Sequence, residues 1–155
     1  MDTITPYIAG FIDGEGTITI KRQKRYGRWY YVPLISCAQV QKPLNEVPLK
    51  MMQKRYGGSI VRWSQRAQDG NRIDTVSWSI TSRRAVRFIE EVGPHLIIKK
   101  NQAKIVSKFI TLTDKKKSYK VTEELQAKRE SLFWEMRRWN VKGRVQLQRL
   151  SEGTA

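Results

Sequence analysis

From Tyr7 to Asp13 the chain is almost wholly apolar or small, and it breaks at Gly14-Glu15-Gly16. Thr5 can cap a helix and Pro6 suits its first turn. The pattern therefore predicts a short helix through Tyr7 to about Asp13 that stops at the Gly14/Gly16 pair. A helix apolar on every side must be covered on every side, so this one belongs at the centre of something larger. Strict alternation follows. In Thr17–Lys24, Thr17, Thr19, Lys21 and Gln23 share one strand face while Ile18 and Ile20 share the other. Tyr26-Gly27-Arg28 reads as a hairpin tip, and the return strand covers about Tyr30 to Gln41. Pro43 and Pro48 bracket a turn into a helix over about Pro48–Tyr56, with Leu49, Met52 and Tyr56 on one side and Gly57-Gly58 as the stop. Ser59–Arg66 and Arg72–Thr81 form a second hairpin around Asp69-Gly70-Asn71, and Ile60, Arg62, Ser64 and Arg66 fall on one face of its first strand. Helices are expected over about 82–92, ending at Gly93-Pro94, then 99–112, and finally 122–139, where Thr122 caps and Glu123 and Glu124 sit near the positive helix end. The order is helix, two strands, helix, two strands, then helices. That is an α+β pattern with an antiparallel four-stranded sheet.

The length of 155 residues suits one domain, 1–155, with a core over about 5–112 and a C-terminal helix and basic tail over about 113–155. Charge narrows the partners. Thirty Lys and Arg against fourteen Asp and Glu give a net +16, which points to a polyanion and first of all to nucleic acid. A membrane surface fits less well, because no long apolar run and no basic amphipathic helix with an aromatic face is visible. Cys37 is the only cysteine and His95 the only histidine, which excludes an internal disulfide and a zinc finger. Cys37 reads as a small buried residue in the apolar run Leu34–Ala38 rather than a nucleophile. The N-terminus shows no secretory pattern, so an intracellular protein is expected, in a prokaryotic cytoplasm or an organelle.

The most informative stretch is Tyr7-Ile8-Ala9-Gly10-Phe11-Ile12-Asp13-Gly14-Glu15-Gly16. Gly10 and Gly14 lie four apart on one helix face and, with Ala9, let a second backbone come close. Glu15 then projects just beyond the helix end. Spacing alone leaves it as a solvated turn residue or as a ligand for a hard cation such as Mg²⁺, with the Gly14 carbonyl as a second donor.

IAGFIDGEG, followed by the Thr-Ile-Thr-Ile strand, resembles the signature of the LAGLIDADG homing endonucleases. The resemblance extends over the element order to about Leu112, the Gly57-Gly58 break and the segment Leu96–Ala103. It implies a saddle-like antiparallel four-stranded sheet with helices packed on one face, and a site-specific double-strand DNA endonuclease. It also implies that motif helices of two half-domains pack at a two-fold axis through Ile8, Ala9, Gly10, Ile12 and Asp13. Each would deliver one acid, here Glu15 with the Gly14 carbonyl, to Mg²⁺ (Mn²⁺ or Ca²⁺ could occupy the same site). A family glutamine after the second strand maps to Gln41, with Gln39 and Lys42 as open alternatives. A family lysine at the start of a late helix maps to Lys99. Asn45 stands where some relatives carry Arg, a departure that leaves the charge to Lys42 or Lys50 or leaves the contact out.

One motif supplies half of a two-strand cutting site, so a C2 homodimer on a pseudo-palindromic duplex of about 20 bp is expected. Thr19, Lys21, Gln23, Arg25 and Arg28 suit the major groove, with Arg62, Ser64, Arg66 and Arg72 expected to add to that face. Lys116 and Lys142 read as phosphate contacts. Trp29, Tyr30, Tyr31, Trp63 and Trp78 fit core or hairpin packing better than base stacking, and Trp134 and Trp139 are expected in the core. No small-molecule cofactor and no membrane is implied. The rival on the same fold is an RNA-binding splicing cofactor, or maturase, without nuclease activity.

Overall fold

The computed structural model describes residues 2–114 and 121–141, with the side chains of 113 and 114 left aside. Along the chain run α1 (Ile4–Glu15), β1 (Gly16–Arg25), β2 (Arg28–Val40), α2 (Pro43–Tyr56), β3 (Ser59–Arg66), β4 (Arg72–Thr81), α3 (Arg83–Val92), a 3-10 turn (Gly93–His95), α4 (Lys100–Asp114) and α5 (Glu123–Trp139). The strands form one antiparallel sheet in the order β1-β2-β4-β3. This is the α+β arrangement that the pattern of residues predicts, with each element found where it was expected and the differences confined to element ends.

Two of those ends matter. α1 runs two residues further than the glycines suggest, so that Gly14 and Glu15 belong to its last turn. Gly16 is then the cap residue, with its N–H on the Ile12 carbonyl. A Cβ at Gly16 would sit 2.7 Å from Ile12 Cδ1 and 2.9 Å from Ile12 Cα, so the break falls there because only glycine fits between helix and strand. α2 starts at Pro43 rather than Pro48, which lies buried inside the helix. Pro48 removes the bond to the Leu44 carbonyl, but Leu44 is 82% exposed and water can replace the missing donor.

Tyr26 and Gly27, both at positive φ, close the two-residue turn between β1 and β2. At the end of α2, Gly58 has φ +96°, and a Cβ there would collide with the Ser79 carbonyl and Ile80 Cγ2. The adjoining Gly57 carbonyl accepts from Trp78 Nε1 at 2.8 Å. This close approach seats Trp78, fully buried, at the centre of the core beside Phe88.

All helices cover one face of the sheet. That face carries Ile18, Ile20, Ile35, Val76, Trp78 and Ile80, which join one continuous core with α1 through α5. Edge strand β1 is held by the end of α5, where Asn140 Nδ2 donates to the Ile18 carbonyl at 2.9 Å. Trp134 and Trp139 are not core residues, being 39% and 51% exposed. Trp134 instead helps Trp29 and Phe133 enclose the Arg22 guanidinium, whose centre lies 4.2 Å from the Trp29 ring, 4.8 Å from Phe133 and 5.1 Å from Trp134. The Arg22 contacts lock α5 onto the β1–β2 hairpin. No described helix is long and apolar enough to cross a membrane.

Candidate active site and nucleic-acid interface

α1 has two faces rather than one. Thr5, Ile8, Ala9, Ile12 and Asp13 point into the protomer's own core. Ile4, Tyr7, Gly10 and Gly14 point outward, Ile4 and Tyr7 being 42% and 48% exposed. The expected interface of Ile8, Ala9, Gly10, Ile12 and Asp13 therefore needs correction. Only Gly10 of that set faces out, because the helical period that puts 5, 8, 9, 12 and 13 on the sheet side turns 7, 10 and 14 away. A Cβ at Gly10 or Gly14 would meet nothing within 4 Å. Packing within the protomer gives no reason for glycine at either position.

Asp13 organises the end of this helix. Its Oδ2 accepts from the Ile97 N–H at 2.7 Å and its Oδ1 from the Lys99 N–H at 2.9 Å, at the start of α4. Burial pushes the Asp13 carboxyl up, but the backbone N–H groups of Ile97, Lys99 and Ile98 and the Lys99 charge outweigh it, so it lies below the usual Asp value. Lys99 Nζ donates back to the Asp13 carbonyl. Residues 86 positions apart are joined at both ends in this way, and the Lys99 ammonium is held at the last turn of α1.

Glu15 is the exposed final residue of that turn. Gln39, on the helix side of β2, donates from Nε2 to Glu15 Oε2 at 3.3 Å. Cys37 Sγ–H donates to the Glu15 carbonyl at 3.6 Å. Burial raises the Cys37 thiol to about 11; the hydrogen bond with Gln39 lowers it, the Glu15 charge raises it and the Lys99 charge lowers it. Lys99 is bonded to the last turn of α1, at the carbonyl two residues before Glu15, and the glutamine bonded to Glu15 is Gln39 rather than Gln41. Gln41 lies just past β2, exposed, and only its backbone N–H is engaged, on the Asp74 carbonyl at 2.8 Å. Strand parity assigns both to the face of Ile35 and Cys37 and so cannot separate them; β2 ends at Val40, between the two. Asn45, at the departure from the family pattern, ties α2 to β2 through Nδ2 and the Val40 carbonyl at 3.0 Å.

The register assigns the remaining candidates to faces. Thr19, Lys21, Gln23, Arg25 and Arg28 lie on the uncovered face of the sheet. Arg62, Ser64, Arg66 and Arg72 do not join them. Arg62 pairs with core residue Val76, Ser64 with Asp74 and Arg66 with Arg72, all on the helix-covered side. There Arg62 Nη2 binds Glu46 at 2.7 Å, which holds Glu46 below the usual carboxylate range, and Arg72 and Ser64 both donate to Asp74. Alternation defines the two faces of each strand, but only pairing says which faces coincide. The β3 residues on the uncovered face are Val61, Trp63 and Gln65 instead. Trp78 and Tyr31 are core, as expected, whereas Tyr30 and Trp63 are 45% and 40% exposed on the open face. Lys116 and Lys142 lie outside the described residues.

Among solved structures, two of the homing endonuclease I-CvuI bound to DNA targets match this chain with TM-scores of 0.67 and 0.69 at 19% identity, covering 90% and 95% of this chain and 84% and 94% of theirs. The LAGLIDADG homing endonuclease I-GzeII in complex with its DNA target matches at 0.62 and 19% identity, over 85% of this chain and 44% of that one. The chain has the LAGLIDADG homing-endonuclease fold. The group I intron-encoded homing endonuclease I-CeuI, complexed with DNA, aligns at 0.61 with 16% identity over 88% of this chain and 67% of that one. No protein-family model matches the sequence, and no curated protein matches it. IAGFIDGEG lies at the end of α1 and its cap, with Glu15 the last helical residue.

A hard divalent cation suits this site. Glu15 offers an exposed carboxylate, and the Gly14 carbonyl accepts no hydrogen bond from the described residues. No group of three or more His, Cys, Asp or Glu that could enclose a metal occurs among the described residues.

Proposed function

We propose that the protein is a homodimeric, site-specific DNA endonuclease that hydrolyses phosphodiesters in both strands of a pseudo-palindromic duplex of about 20 bp. It would act inside the cell, in a prokaryotic cytoplasm or an organelle. The observation that carries this reading is the exposed Glu15 carboxylate bonded by Gln39, with Lys99 bonded to the same helix turn, at the end of a helix whose exposed face holds two glycines that its own protomer does not need. The solved structures of the same fold are homing endonucleases with DNA targets, which supports a DNA partner, as does the net charge of +16.

In this reading Gly10 and Gly14 of two α1 helices meet at the dyad, and each Glu15 reaches one strand. Glu15 and the Gly14 carbonyl would hold Mg²⁺, with Mn²⁺ or Ca²⁺ as competitors. The ion would supply positive charge for the attacking and leaving oxygens and lower the pKa of water. Gln39 fixes the Glu15 carboxylate. The Lys99 ammonium lies at the last turn of α1, where it offsets phosphate charge. Gln41 and Lys42, exposed nearby, can contact the backbone. Hydrolysis by activated water requires no covalent nucleophile, in keeping with the protonated Cys37. A splicing cofactor that only binds RNA would have no use for the acid–glutamine–lysine cluster.

The test is a pool of randomised duplexes incubated with Mg²⁺, followed by sequencing of cut ends. Recurrent two-strand cuts in one long motif are expected, and Glu15→Gln should lower the rate by about a hundredfold or more. Cutting by Glu15→Gln at the wild-type rate would remove the assignment.

A further inference from the structure

We propose that the open sheet face reads each half-site in two zones of different chemistry: an outer, cationic arm that selects guanine, and an inner, uncharged zone that selects thymine. This rests on the endonuclease reading above. It follows from the register, row by row, starting beside Glu15.

The inner rows carry hydroxyl and apolar groups. Thr17 pairs with Ser36, Ser36 with Ser79 and Ser79 with Ser59, a band of hydroxyls across the whole sheet. On its far side, Ala38, Ser77 and Val61 form one row, and Val40, Thr75 and Trp63 the next. Val40, Val61 and Trp63 are 49%, 51% and 40% exposed. No charged side chain stands in any of these rows. A hydroxyl serves either a donor or an acceptor, so it discriminates little, whereas apolar groups in the major groove favour the thymine methyl.

Beyond the pairing of Leu34 with Thr81, β4 has ended and only the β1–β2 hairpin continues. This two-stranded ribbon presents Lys21, Gln23, Arg25 and Arg28 on the open side, with Val32 and Tyr30 between them opposite Lys21 and Gln23. No described carboxylate pairs with Lys21, Arg25 or Arg28, in contrast to Arg62 and Arg72 on the covered side. Gln23 is altered by its neighbour: its Oε1 accepts from Arg25 Nη2 at 3.0 Å. With that oxygen engaged, Gln23 offers its amide N–H groups and loses the acceptor needed for a bidentate contact to adenine. All four side chains are then donors. Guanine alone shows two acceptors, O6 and N7, to the major groove, while cytosine shows a donor. From Thr17 to Arg25 the strand rises about 27 Å, the length of about eight base pairs, so the two zones fall on different parts of one half-site.

Wild-type protein and the variants Arg25→Ala, Arg28→Ala, Arg28→Lys and Trp63→Ala would each be incubated with the randomised duplex pool, and the bound fraction sequenced. The expected wild-type motif has guanine at the outer ends of both half-sites and thymine nearer the centre. Arg25→Ala and Arg28→Ala should relax only the outer positions, by about 5- to 150-fold in base preference. Arg28→Lys should relax them less, and Trp63→Ala should relax only the inner ones. A motif without outer guanine, or arginine variants that relax inner and outer positions alike, would overturn the two-zone readout while leaving the endonuclease reading in place. A wild-type protein that enriches no sequence would overturn both.

Discussion

Replacing Asp13 tests the link between the end of α1 and the start of α4. The carboxylate accepts two backbone N–H bonds, at 2.7 Å from Ile97 and 2.9 Å from Lys99. A hydrogen bond to a charged group contributes about 1.5–3 kcal/mol net. Ile97 is 85% exposed, so water can satisfy its freed N–H and the lower end of that range applies there. Asp13→Ala should therefore destabilise the fold by about 3–4.5 kcal/mol, and Asp13→Asn, which keeps one acceptor oxygen, by about half as much. In a chain of this length that corresponds to a fall in Tm of roughly 6–18 °C for the alanine variant. The pH dependence has a definite sign. The folded-state pKa lies below the ordinary Asp value, so the contribution is present above that value and lost as pH falls through the folded pKa. Urea unfolding of both proteins at neutral pH and in acid measures this directly. The gap should be widest at neutral pH and narrow below the ordinary carboxylate range. An alanine variant within about 0.5 kcal/mol of wild type at neutral pH, or a gap that does not narrow in acid, would refute the argument.

Two further outcomes follow from the same geometry. Gly10→Leu should leave the protomer fold intact or slightly firmer, since nothing lies within 4 Å of a Cβ there and leucine favours helix over glycine by about 0.5–1 kcal/mol; in sedimentation it should behave as a monomer, and a dimer of unchanged affinity would remove α1 from the interface. Cys37, with its thiol raised to about 11 chiefly by burial, should react slowly with a disulfide reagent at pH 8 in the native protein and quickly in urea; rapid native labelling would contradict its placement.

Local pattern was enough to determine the order and type of every element, because hydrophobic period and glycine or proline stops act over a few residues. IAGFIDGEG also marks the end of α1, to which Lys99 bonds in the structure. Three matters required the tertiary structure. α1 looked apolar on all sides, yet only its residues at 5, 8, 9, 12 and 13 are covered within the protomer, since coverage depends on which elements arrive on which side. Arg62, Ser64, Arg66 and Arg72 alternate as well as Lys21 and Gln23 do, but alternation has no absolute sign, and only the β2–β4 and β3–β4 registers turned those four toward the helices. Gln39 and Gln41 differ by two positions in sequence; the strand ends between them, and that end decides which amide meets Glu15. Sequence determines what each segment is because the forces are short-ranged. Which faces coincide is decided by pairing between segments far apart in the chain, and that is fixed only when the core closes.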